Sequence, residues 1–463
     1  MTVNRFEDAL SGLRAVFSSG ITRPLSWRIM QLKALGAFLR DRERMIAEAV
    51  NEDFRKSEAE TFFTETGFLL GELRFVAGNL KRWMKPEKVS TPLYYQFARS
   101  YILRDPLGLV LVIGAWNYPV NLCLAPLIGA LSGGNCVVVK PSETAPNASR
   151  VVAEGIRDYL DTSAVMVVEG GAGETRSLLD LRFDHVFFTG SRDKGYEVLL
   201  AAARNFTPVT LEMGGKCPCI VTEHTNLRIA ARRIVWAKFI NGGQTCIAPD
   251  YVLVHENSEH RLLGYMKDAI RQFYGPDPSS SCDYPRIISE RHFRRLMSYV
   301  DGADIVTGGG ADERARYIAP SVIRVTDPAA PVMQEEIFGP VLPVLAYSRI
   351  DEATGLIGSG KEPLAVYLFS SSREEHRAVI GKTRSGGVCI NDLMFQAAVS
   401  ALPFGGSGFS GMGSYHGRAG FDTFTSRRSV MHRAFFPDMN LRYPPYGPWK
   451  FRFLKRLLAT FSG

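Results

Sequence analysis

One cysteine of this chain stands in a sequence context that could support covalent chemistry. The stretch "AKFINGGQTCIAPDYVLV", residues 237–254, leads through two glycines, a glutamine and a threonine to Cys246 and then enters a strand-like apolar run. A free cysteine is commonly a small buried apolar residue, but its thiolate is a strong nucleophile. If a helix begins around Cys246, its dipole would lower the thiol pKa and its N–H groups would face an oxyanion. The stretch alone leaves both interpretations open.

The remaining cysteines argue against structural roles for sulfur in this protein. Seven cysteines in 463 residues are an odd number, which does not favour a disulfide framework. Cys217 and Cys219 form the closest pair, but they lack zinc-site spacing and have no histidine cluster nearby. The N-terminus carries acidic residues where a secretion signal needs a long apolar run. We therefore expect a cytoplasmic protein with reduced thiols and no metal.

Glu212 is a candidate general base. It lies in "TLEMGG", between apolar residues and directly before two glycines. Partial desolvation raises the pKa of a carboxyl group toward the range that is useful for proton transfer. An ion-paired glutamate at the end of a strand is the alternative interpretation.

Two further loops have the chemistry of a cofactor site. "FTGSRDKG" places Gly190 after a strand and Gly195 near a helix start, where backbone N–H groups suit a pyrophosphate. "VVVKPSE" places Lys140 and Glu143 after another strand, and an acidic residue in that position can bind ribose hydroxyls. Neither pattern is specific alone, because the first is not GxGxxG and charged residues after a strand are usually solvated.

These candidate residues must be positioned by alternating strands and helices. Residues 5–84 have helical periodicity, and "TPLYYQFARSYILRDPLG" (91–108) predicts a pair of extended strands. Four strand-helix units then follow from "GLVLVIGA" to "HVFFTGS", and a second α/β run extends from about residue 210 to 400. Repeated βαβ units predict a doubly wound parallel sheet, with ligands at the carboxyl ends of its strands.

Charge distribution excludes some classes of function. Residues 107–131 carry no charge, but their prolines, asparagines and β-rich runs favour a buried strand, loop and helix over a membrane span. The net charge of +8 comes mainly from the residues after 426, which include eight basic residues and one acidic residue. A nearly neutral body does not suit nucleic acid, so we expect no such partner.

Taken together, the motifs indicate a family. "GAWNYP", "KPSE", "FTGS", "TLEMGGK", "GGQTCIAPD", "MQEEIFGPVLPV" and "PFGGSGFSGMGSYHG" occur in this order, and the set resembles the aldehyde dehydrogenase superfamily over about residues 5–450. "GQTCIAPDY", "PFGGSGFSGMGSYHGRAGFDTFTSRR" and "LRYPPY" are similar to its class 3 and fatty aldehyde dehydrogenase branch. Cys217 departs from the serine that is frequent in the family.

The resemblance implies an NAD(P)-dependent oxidation of a medium- or long-chain aliphatic, or an aromatic, aldehyde to its acid. Cys246 would attack the carbonyl to form a thiohemiacetal and then a thioester. Asn117, with the Cys246 N–H, would stabilise the oxyanion, and Glu212 would activate water for hydrolysis. An acylating enzyme that uses CoA or phosphate and a non-catalytic binding or structural protein on the same fold are the alternatives.

The resemblance also implies the cofactor contacts and walls of the substrate tunnel. The cofactor contacts are Lys140 and Glu143 at the adenosine ribose, Gly190 and Ser191 at the pyrophosphate, and Glu336 and Phe338 at the nicotinamide. The carboxylate of Glu143 favours NAD, although class 3 relatives often accept NADP as well. The candidate tunnel walls are Trp116, Tyr118, Trp236 and Phe239, although core packing explains such aromatic residues equally well.

The predicted domain organisation follows the same resemblance. An NAD(P)-binding domain would comprise residues 1–84 and 106–211, and a catalytic domain residues 212–402. A small β element that mediates oligomerisation, expected to be homodimerisation, would comprise residues 85–105 and 403–445.

A basic tail, residues 446–463, would complete the chain. Within "WKFRFLKRLLATF" (449–461), helical spacing places Leu454, Leu457, Leu458 and Phe461 on one face and basic residues opposite. Such a helix suits peripheral contact with an anionic membrane surface. Packing on a partner subunit or covering the substrate entrance are the alternatives.

Overall fold

Residues 5–84 are mainly helical, as their periodicity predicts. The computed structural model describes residues 4–92, 95, 97–438 and 440–460, without the side chains of Leu458 and Thr460. Its helices are α1 (Glu7–Ser19), α2 (Leu25–Asp41), α3 (Glu43–Phe54), α4 (Glu58–Thr61), α5 (Gly67–Trp83), α6 (Asn121–Gly133), α7 (Pro146–Tyr159), α8 (Ala172–Leu179), α9 (Arg192–Ala203), α10 (Leu227–Phe239), α11 (Glu259–Tyr274), α12 (Glu290–Met297), α13 (Pro331–Gln334), α14 (Ile350–Ser359), α15 (Arg373–Lys382), α16 (Phe395–Ala398), α17 (Gly417–Thr423) and α18 (Pro448–Thr460).

A π-helical turn, Phe62–Thr66, joins α4 to α5. Single π-turns within helices are frequent at functional sites. Among the described residues, no helix is long and apolar enough to cross a bilayer.

A six-stranded sheet forms the centre of the N-terminal half. Its order is β17-β7-β6-β3-β4-β5, and its strands are β3 (Leu109–Ile113), β4 (Cys136–Lys140), β5 (Val165–Val167), β6 (His185–Gly190), β7 (Val209–Met213) and β17 (Gly411–Met412). All of these strands are parallel except β17, which pairs antiparallel with β7. The strand order reverses beside β3, which creates the crevice where doubly wound sheets bind ligands.

The burial of this sheet explains the uncharged segment at residues 107–131. Every residue of β3 and of β4 is buried, as expected for a parallel sheet that is covered by helices on both faces. The uncharged segment consists of β3, a loop and α6, which confirms the strand-loop-helix prediction.

A seven-stranded sheet organises the second half of the chain. Its order is β10-β13-β14-β9-β8-β15-β16, and its strands are β8 (Pro218–Val221), β9 (Tyr251–His255), β10 (Asp304–Thr307), β13 (Ser321–Arg324), β14 (Val341–Tyr347), β15 (Ala365–Phe369) and β16 (Gly387–Ile390). Only β10 among these strands runs antiparallel to its neighbour. A short hairpin of β11 (Ala311–Asp312) and β12 (Tyr317–Ile318) lies outside this sheet. The predicted α/β class and doubly wound sheet are confirmed.

The described residues of the segment 91–108 form one strand and not the predicted two; residues 93, 94 and 96 lie outside the described part of the chain. The strand is β2 (Ala98–Pro106), which pairs with β1 (Glu87–Val89) on one side and β18 (Thr425–Arg433) on the other. Pro92 lacks the N–H that a strand ladder needs, and its carbonyl instead accepts the Tyr95 N–H in a turn. The first partner strand therefore ends before the aromatic segment.

Candidate active site

Cys246 lies in the connection between α10 and β9, and no helix begins at this residue. The chain passes from Gly243 through a turn at Cys246 and Ile247 and reaches Pro249 before β9. Because a residue that precedes proline is biased toward extended conformations, the segment cannot continue as a helix. The predicted helix start around Cys246 is therefore wrong, and a helix dipole does not activate this thiol.

The glycines before Cys246 are required by the backbone. Asn241, Gly242 and Gly243 all have left-handed φ angles, of 55°, 61° and 75°. A Cβ atom at Gly243 would also collide with the backbone of Gly339. These glycines therefore shape the turn that presents the cysteine.

A network of amide groups holds this turn. The Asn117 Nδ2 atom donates to the Gln244 carbonyl at 3.1 Å, and the Asn241 Nδ2 atom donates to the Asn117 carbonyl at 2.8 Å. Gln244 accepts the Ile288 N–H at 3.0 Å, and the Tyr118 hydroxyl lies 2.6 Å from the Thr245 hydroxyl. The structure thus brings Asn117 beside the Cys246 turn although 129 residues separate the two in sequence.

Two cavities meet at Cys246. One has a volume of about 480 Å³ and the other about 210 Å³, and both are lined by Leu122, Cys246, Phe404 and Tyr415. The larger cavity is bordered mainly by aromatic and aliphatic side chains, whereas the smaller one contains Glu212 and Glu336. The sulfur of Cys246 is therefore accessible from two chemically different sides.

Glu212 lies on β7 at the smaller cavity. It is only 3% exposed, and neither carboxylate oxygen has a hydrogen-bond partner among the described residues. Burial raises the pKa of this carboxyl group well above its ordinary value. A buried carboxyl group whose oxygens are free to accept a proton from a molecule in the cavity has the properties of a general base.

Glu336 lies in the same cavity, against the backbone of Gly214. A side chain at Gly214 would overlap the Glu336 carboxylate, so the "LEMGG" motif provides the space for this group. Burial raises the pKa of Glu336 to about 8, and the charge of Asp250 adds to the effect. The Glu336 Oε1 atom has no hydrogen-bond partner in the described part of the chain.

The backbone around Glu336 is fixed by Arg295. Its guanidinium donates to the carbonyls of Glu336 and Ile337, at 3.2 and 2.6 Å. Phe338 follows with a positive φ of 50°, and its ring contacts Trp116 edge to face at 5.4 Å between centroids. Trp116 thus lines the smaller cavity and not the larger one, so its predicted role in a substrate tunnel stays a prediction.

The other predicted cofactor residues lie at the carboxyl ends of β4 and β6, the two strands that flank β3. Lys140 ends β4, is buried and donates to Glu143 at 3.2 Å, whereas the Glu143 side chain is 51% exposed. Gly190 ends β6, and Ser191 precedes the twelve-residue helix α9 without a side-chain cap. The first-turn N–H groups of α9 therefore remain suitable for an anionic ligand.

The larger cavity is predominantly aromatic. Trp236 stacks on Phe395 at 5.4 Å, and Phe63 contacts both rings edge to face. Tyr118 also lines this cavity. Phe239 does not: it is 0% exposed and packs in the core beneath α10, so the predicted tunnel role for Phe239 is wrong. Phe239 lies three residues after Trp236 on α10, so the sequence alone does not show which of the two rings faces the cavity.

Several cavity residues were not identified from the sequence. They come from the π-turn, α5, α16 and the glycine-rich segment, and they include Phe62, Phe63, Phe68, Phe395, Phe404, Tyr415 and His416. The last three lie in or beside the quoted "PFGGSGFSGMGSYHG" motif, which was therefore the available signal. Burial lowers the pKa of His416 to about 3, so its ring is neutral in this apolar wall.

The environment of Cys246 opposes ionisation. Burial raises the pKa of the Cys246 thiol, and the carboxylates of Glu336 and Glu212 raise it further. Cys217 is close by: its thiol lies 3.4 Å from the Cys246 carbonyl and is itself fully buried. No group of three or more metal-ligating side chains occurs among the residues that the structure describes.

Comparison with known proteins agrees with this geometry. The model of the aldehyde dehydrogenase family matches residues 2–430. The chain is 45% identical to human (Homo sapiens) aldehyde dehydrogenase family 3 member B1 over 451 residues, which cover 96% of each protein, and 44% identical to rat (Rattus norvegicus) family 3 member A2 over 95% of this chain and 91% of that protein.

The solved structures that resemble this chain are also aldehyde dehydrogenases. Substrate-bound Staphylococcus aureus AldH superposes with a TM-score of 0.96 at 42% identity, over 98% of this chain and all of that one. An indole-3-acetaldehyde dehydrogenase complexed with NAD+ superposes with a TM-score of 0.83 at 26% identity, over 92% and 88%. The chain belongs to the aldehyde dehydrogenase family, and its activity is the NAD(P)-dependent oxidation of an aldehyde.

Proposed function

We propose that Cys246 is the nucleophile of this reaction and that the aldehyde reaches it through the larger cavity. The observation that carries the proposal is the position of Cys246 where the two cavities meet. Because its surroundings disfavour the thiolate, the thiol needs a base, and Glu212 is a buried carboxyl group of raised pKa in the same cavity. Attack on the carbonyl carbon then forms a thiohemiacetal.

Asn117 and the Cys246 backbone N–H would stabilise the oxyanion of that intermediate. One N–H of the Asn117 amide is used by the Gln244 carbonyl, and the amide has a second N–H to donate. Fixed donors of this kind stabilise developing charge without reorganisation. After oxidation, Cys246 carries a thioester, and Glu212 would take a proton from the water that hydrolyses it.

The smaller cavity suits the nicotinamide end of the cofactor. The free Oε1 atom of Glu336 would accept from ribose hydroxyls, and Phe338 would pack against the ring. The first turn of α9, after Gly190 and Ser191, would bind the pyrophosphate, and Lys140 with Glu143 the adenosine ribose. When bound, the nicotinamide accepts a hydride from the substrate carbon. The negative charge of Glu143 would disfavour a 2′-phosphate, so NAD is the preferred coenzyme and NADP the alternative.

The larger cavity favours medium- or long-chain aliphatic and aromatic aldehydes, since its walls are aromatic and its volume is about 480 Å³. We expect NADH formation across aldehydes from C2 to C18 and benzaldehydes to be most efficient with the longer and aromatic substrates. A preference for C2 would contradict this assignment. Glu212 in the position of a hydrolytic base disfavours acyl transfer, and added CoA should not raise the rate.

The three-stranded sheet supports homodimerisation. β1 is exposed along its whole length. Of the nine residues of β18, six are exposed, two are partly exposed and only Thr425 is buried. An exposed antiparallel sheet with free edges is a natural surface for a second copy. Light scattering coupled to size exclusion should give twice the 51.3 kDa mass, and a monomer would contradict the proposal.

The C-terminal helix α18 supports contact with a membrane surface. Trp449, Phe451 and Phe453 are 69%, 52% and 40% exposed, and Lys455 lies over the Phe451 ring. Phe461 lies outside the described residues, and of Leu458 only the backbone is described. Binding to anionic liposomes in flotation should fall sharply when residues 449–463 are deleted. Unchanged flotation would reject the proposal, and a changed mass or substrate KM would indicate one of the alternative roles.

The domain boundaries, at residues 1–84 with 106–211, 212–402, 85–105 with 403–445, and 446–463, remain our proposal. The six-stranded and seven-stranded sheets support the main division, although β17 returns from the glycine-rich segment to the first sheet. Limited proteolysis of the intact protein should release fragments that end within the connections between these ranges. Cleavage within β3 or β9 would contradict the division.

A further inference from the structure

Glu60, at the end of α4, has no role in the chemistry described above but is bonded to the loop that carries the nucleophile. Its Oε1 atom accepts the backbone N–H of Asn241 at 2.7 Å, across 181 residues of sequence. Asn241 is the first of the three left-handed residues before Cys246. A non-glycine residue in that conformation persists only where its surroundings hold it.

The side chain of Asn241 continues the connection to the reacting groups. Its Nδ2 atom donates to the carbonyls of Asn117 and Gln244, at 2.8 and 3.1 Å. The Asn117 amide donates to the same Gln244 carbonyl. A continuous series of hydrogen bonds therefore runs from Glu60 through Asn241 to the amide that would stabilise the oxyanion.

Glu60 also adjoins the wall of the larger cavity. The π-turn Phe62–Thr66 begins two residues later and supplies Phe62, Phe63 and Thr64 to that cavity. The Glu60 carboxylate thus connects the segment that forms part of the wall of the larger cavity with the turn that carries Cys246.

We propose that Glu60 is a positioning residue for the reaction, acting through Asn241 to hold Asn117 and Cys246 in place. The inference rests on the roles proposed above for Asn117 and Cys246. A charged acceptor makes a stronger hydrogen bond to a backbone N–H than a neutral one does. The ionised form of Glu60 therefore holds the turn more firmly than the protonated form.

Ionisation of Glu60 falls within the working pH range. Burial raises its pKa to about 7, and the charge of Lys56 and the Asn241 N–H act in the opposite direction. The titratable groups that act on it from the surrounding elements are Lys56, Glu65, Tyr118, Tyr274 and Asp283. The first turnover should therefore become faster as the pH rises through about 7.

The test is the pH profile of the NADH burst in wild type, Glu60→Gln and Glu58→Gln. Glu58 lies on the same helix but is exposed, so its variant should match wild type. In Glu60→Gln we expect the rise near pH 7 to disappear and the burst rate at pH 8.5 to fall about tenfold, which corresponds to the difference between a charged and a neutral hydrogen-bond acceptor. The rate of Cys246 alkylation by iodoacetamide, followed by peptide mass spectrometry, should lose the same pH dependence.

If the pH profile of the NADH burst keeps its wild-type shape in Glu60→Gln, the proposal is overturned, even where the rate is lower at every pH. A purely structural role for Glu60 involves no ionisation near pH 7 and would leave that shape unchanged. If the glutamine variant does not fold, Glu60→Asp supplies the test, since its shorter carboxylate should shift the inflection; an inflection at the wild-type pH would assign it to another group. Absence of NADH formation by wild type would reject the proposed function itself, which is a different result.

Discussion

The two cavities that meet at Cys246 differ in almost every property except the sulfur they share. The smaller one contains two carboxyl groups of raised pKa, Glu212 and Glu336, whose oxygens include atoms without hydrogen-bond partners among the described residues. The larger one has an aromatic wall built around Trp236 and Phe395. On the roles proposed above, proton transfer and cofactor binding belong to the smaller cavity, and selection of the aldehyde belongs to the larger one.

Removal of the shared atom should abolish both tasks together. For Cys246→Ala we expect NADH formation to fall by at least about 10⁴-fold with every aldehyde, as for loss of a nucleophile in other covalent enzymes. Cys217→Ser is the matched control, since Cys217 is buried 3.4 Å from the Cys246 carbonyl but lines neither cavity. Substantial steady-state activity in Cys246→Ala would refute the covalent mechanism.

A change in the smaller cavity should slow hydrolysis of the thioester more than its formation, because a thiol is far more acidic than water and needs the base less. In Glu212→Gln we expect the acyl-enzyme to accumulate and the steady-state rate to fall by about 10²–10⁴-fold, since general-base catalysis supplies a factor of that size. Intact-protein mass spectrometry after one turnover measures the trapped thioester. Glu72→Gln changes a buried carboxyl group of the larger cavity and should trap none. Absence of the adduct in Glu212→Gln would remove Glu212 from deacylation.

A change in the larger cavity should affect substrate choice alone. Trp236→Ala removes half of the Trp236–Phe395 stack, and we expect kcat/KM for a C12 aldehyde to fall roughly 10–100-fold while that for C2 changes little. Trp116→Phe, on the cofactor side, should instead raise the coenzyme KM equally for all aldehydes. Equal losses for C2 and C12 in Trp236→Ala would show that the ring does not select by chain length.

The smallest expected effect is on stability. The folded-state pKa of Glu336, about 8, lies above its ordinary value of 4.5, so the fold binds this proton more tightly than the unfolded chain does. Stability from this group is therefore lost as the pH rises from about 4.5 to 8. Glu336→Gln should raise the Tm of the cofactor-free protein by a few degrees at pH 8.5 and hardly at pH 5, measured by differential scanning fluorimetry. Glu143→Gln, at an exposed carboxyl, should not; a lowered Tm in Glu336→Gln at pH 8.5 would contradict the pKa.

Much of the fold could be predicted because strand and helix periodicity is local. The buried strands β3 and β4 and the helices between them appear as apolar runs of suitable length. The pairing of β1, β2 and β18 could not be predicted, because it joins residues more than 300 positions apart and depends on where Pro92 interrupts the chain.

The candidate site divides in the same way. The motifs predicted Cys246, Glu212 and Asn117 as site residues from short stretches of sequence, and the structure brings all three to the smaller cavity. The absence of a helix start at Cys246 and the burial of Phe239 were not predicted, because both depend on tertiary contacts. Trp236 and Phe239 lie on the same helix, α10, but only Trp236 lines the larger cavity. The rest of that wall comes largely from residues 62–72 and 394–416, which are distant in sequence.

The pairing of β17 with β7 has a consequence for how the protein is made. Gly411 lies opposite Glu212, so a segment 199 residues further along the chain forms the edge beside the proposed base. β7 is therefore an edge strand of its sheet until the ribosome has synthesised this later segment. The edge beside the proposed base is therefore completed only after all the other strands of both main sheets have been synthesised.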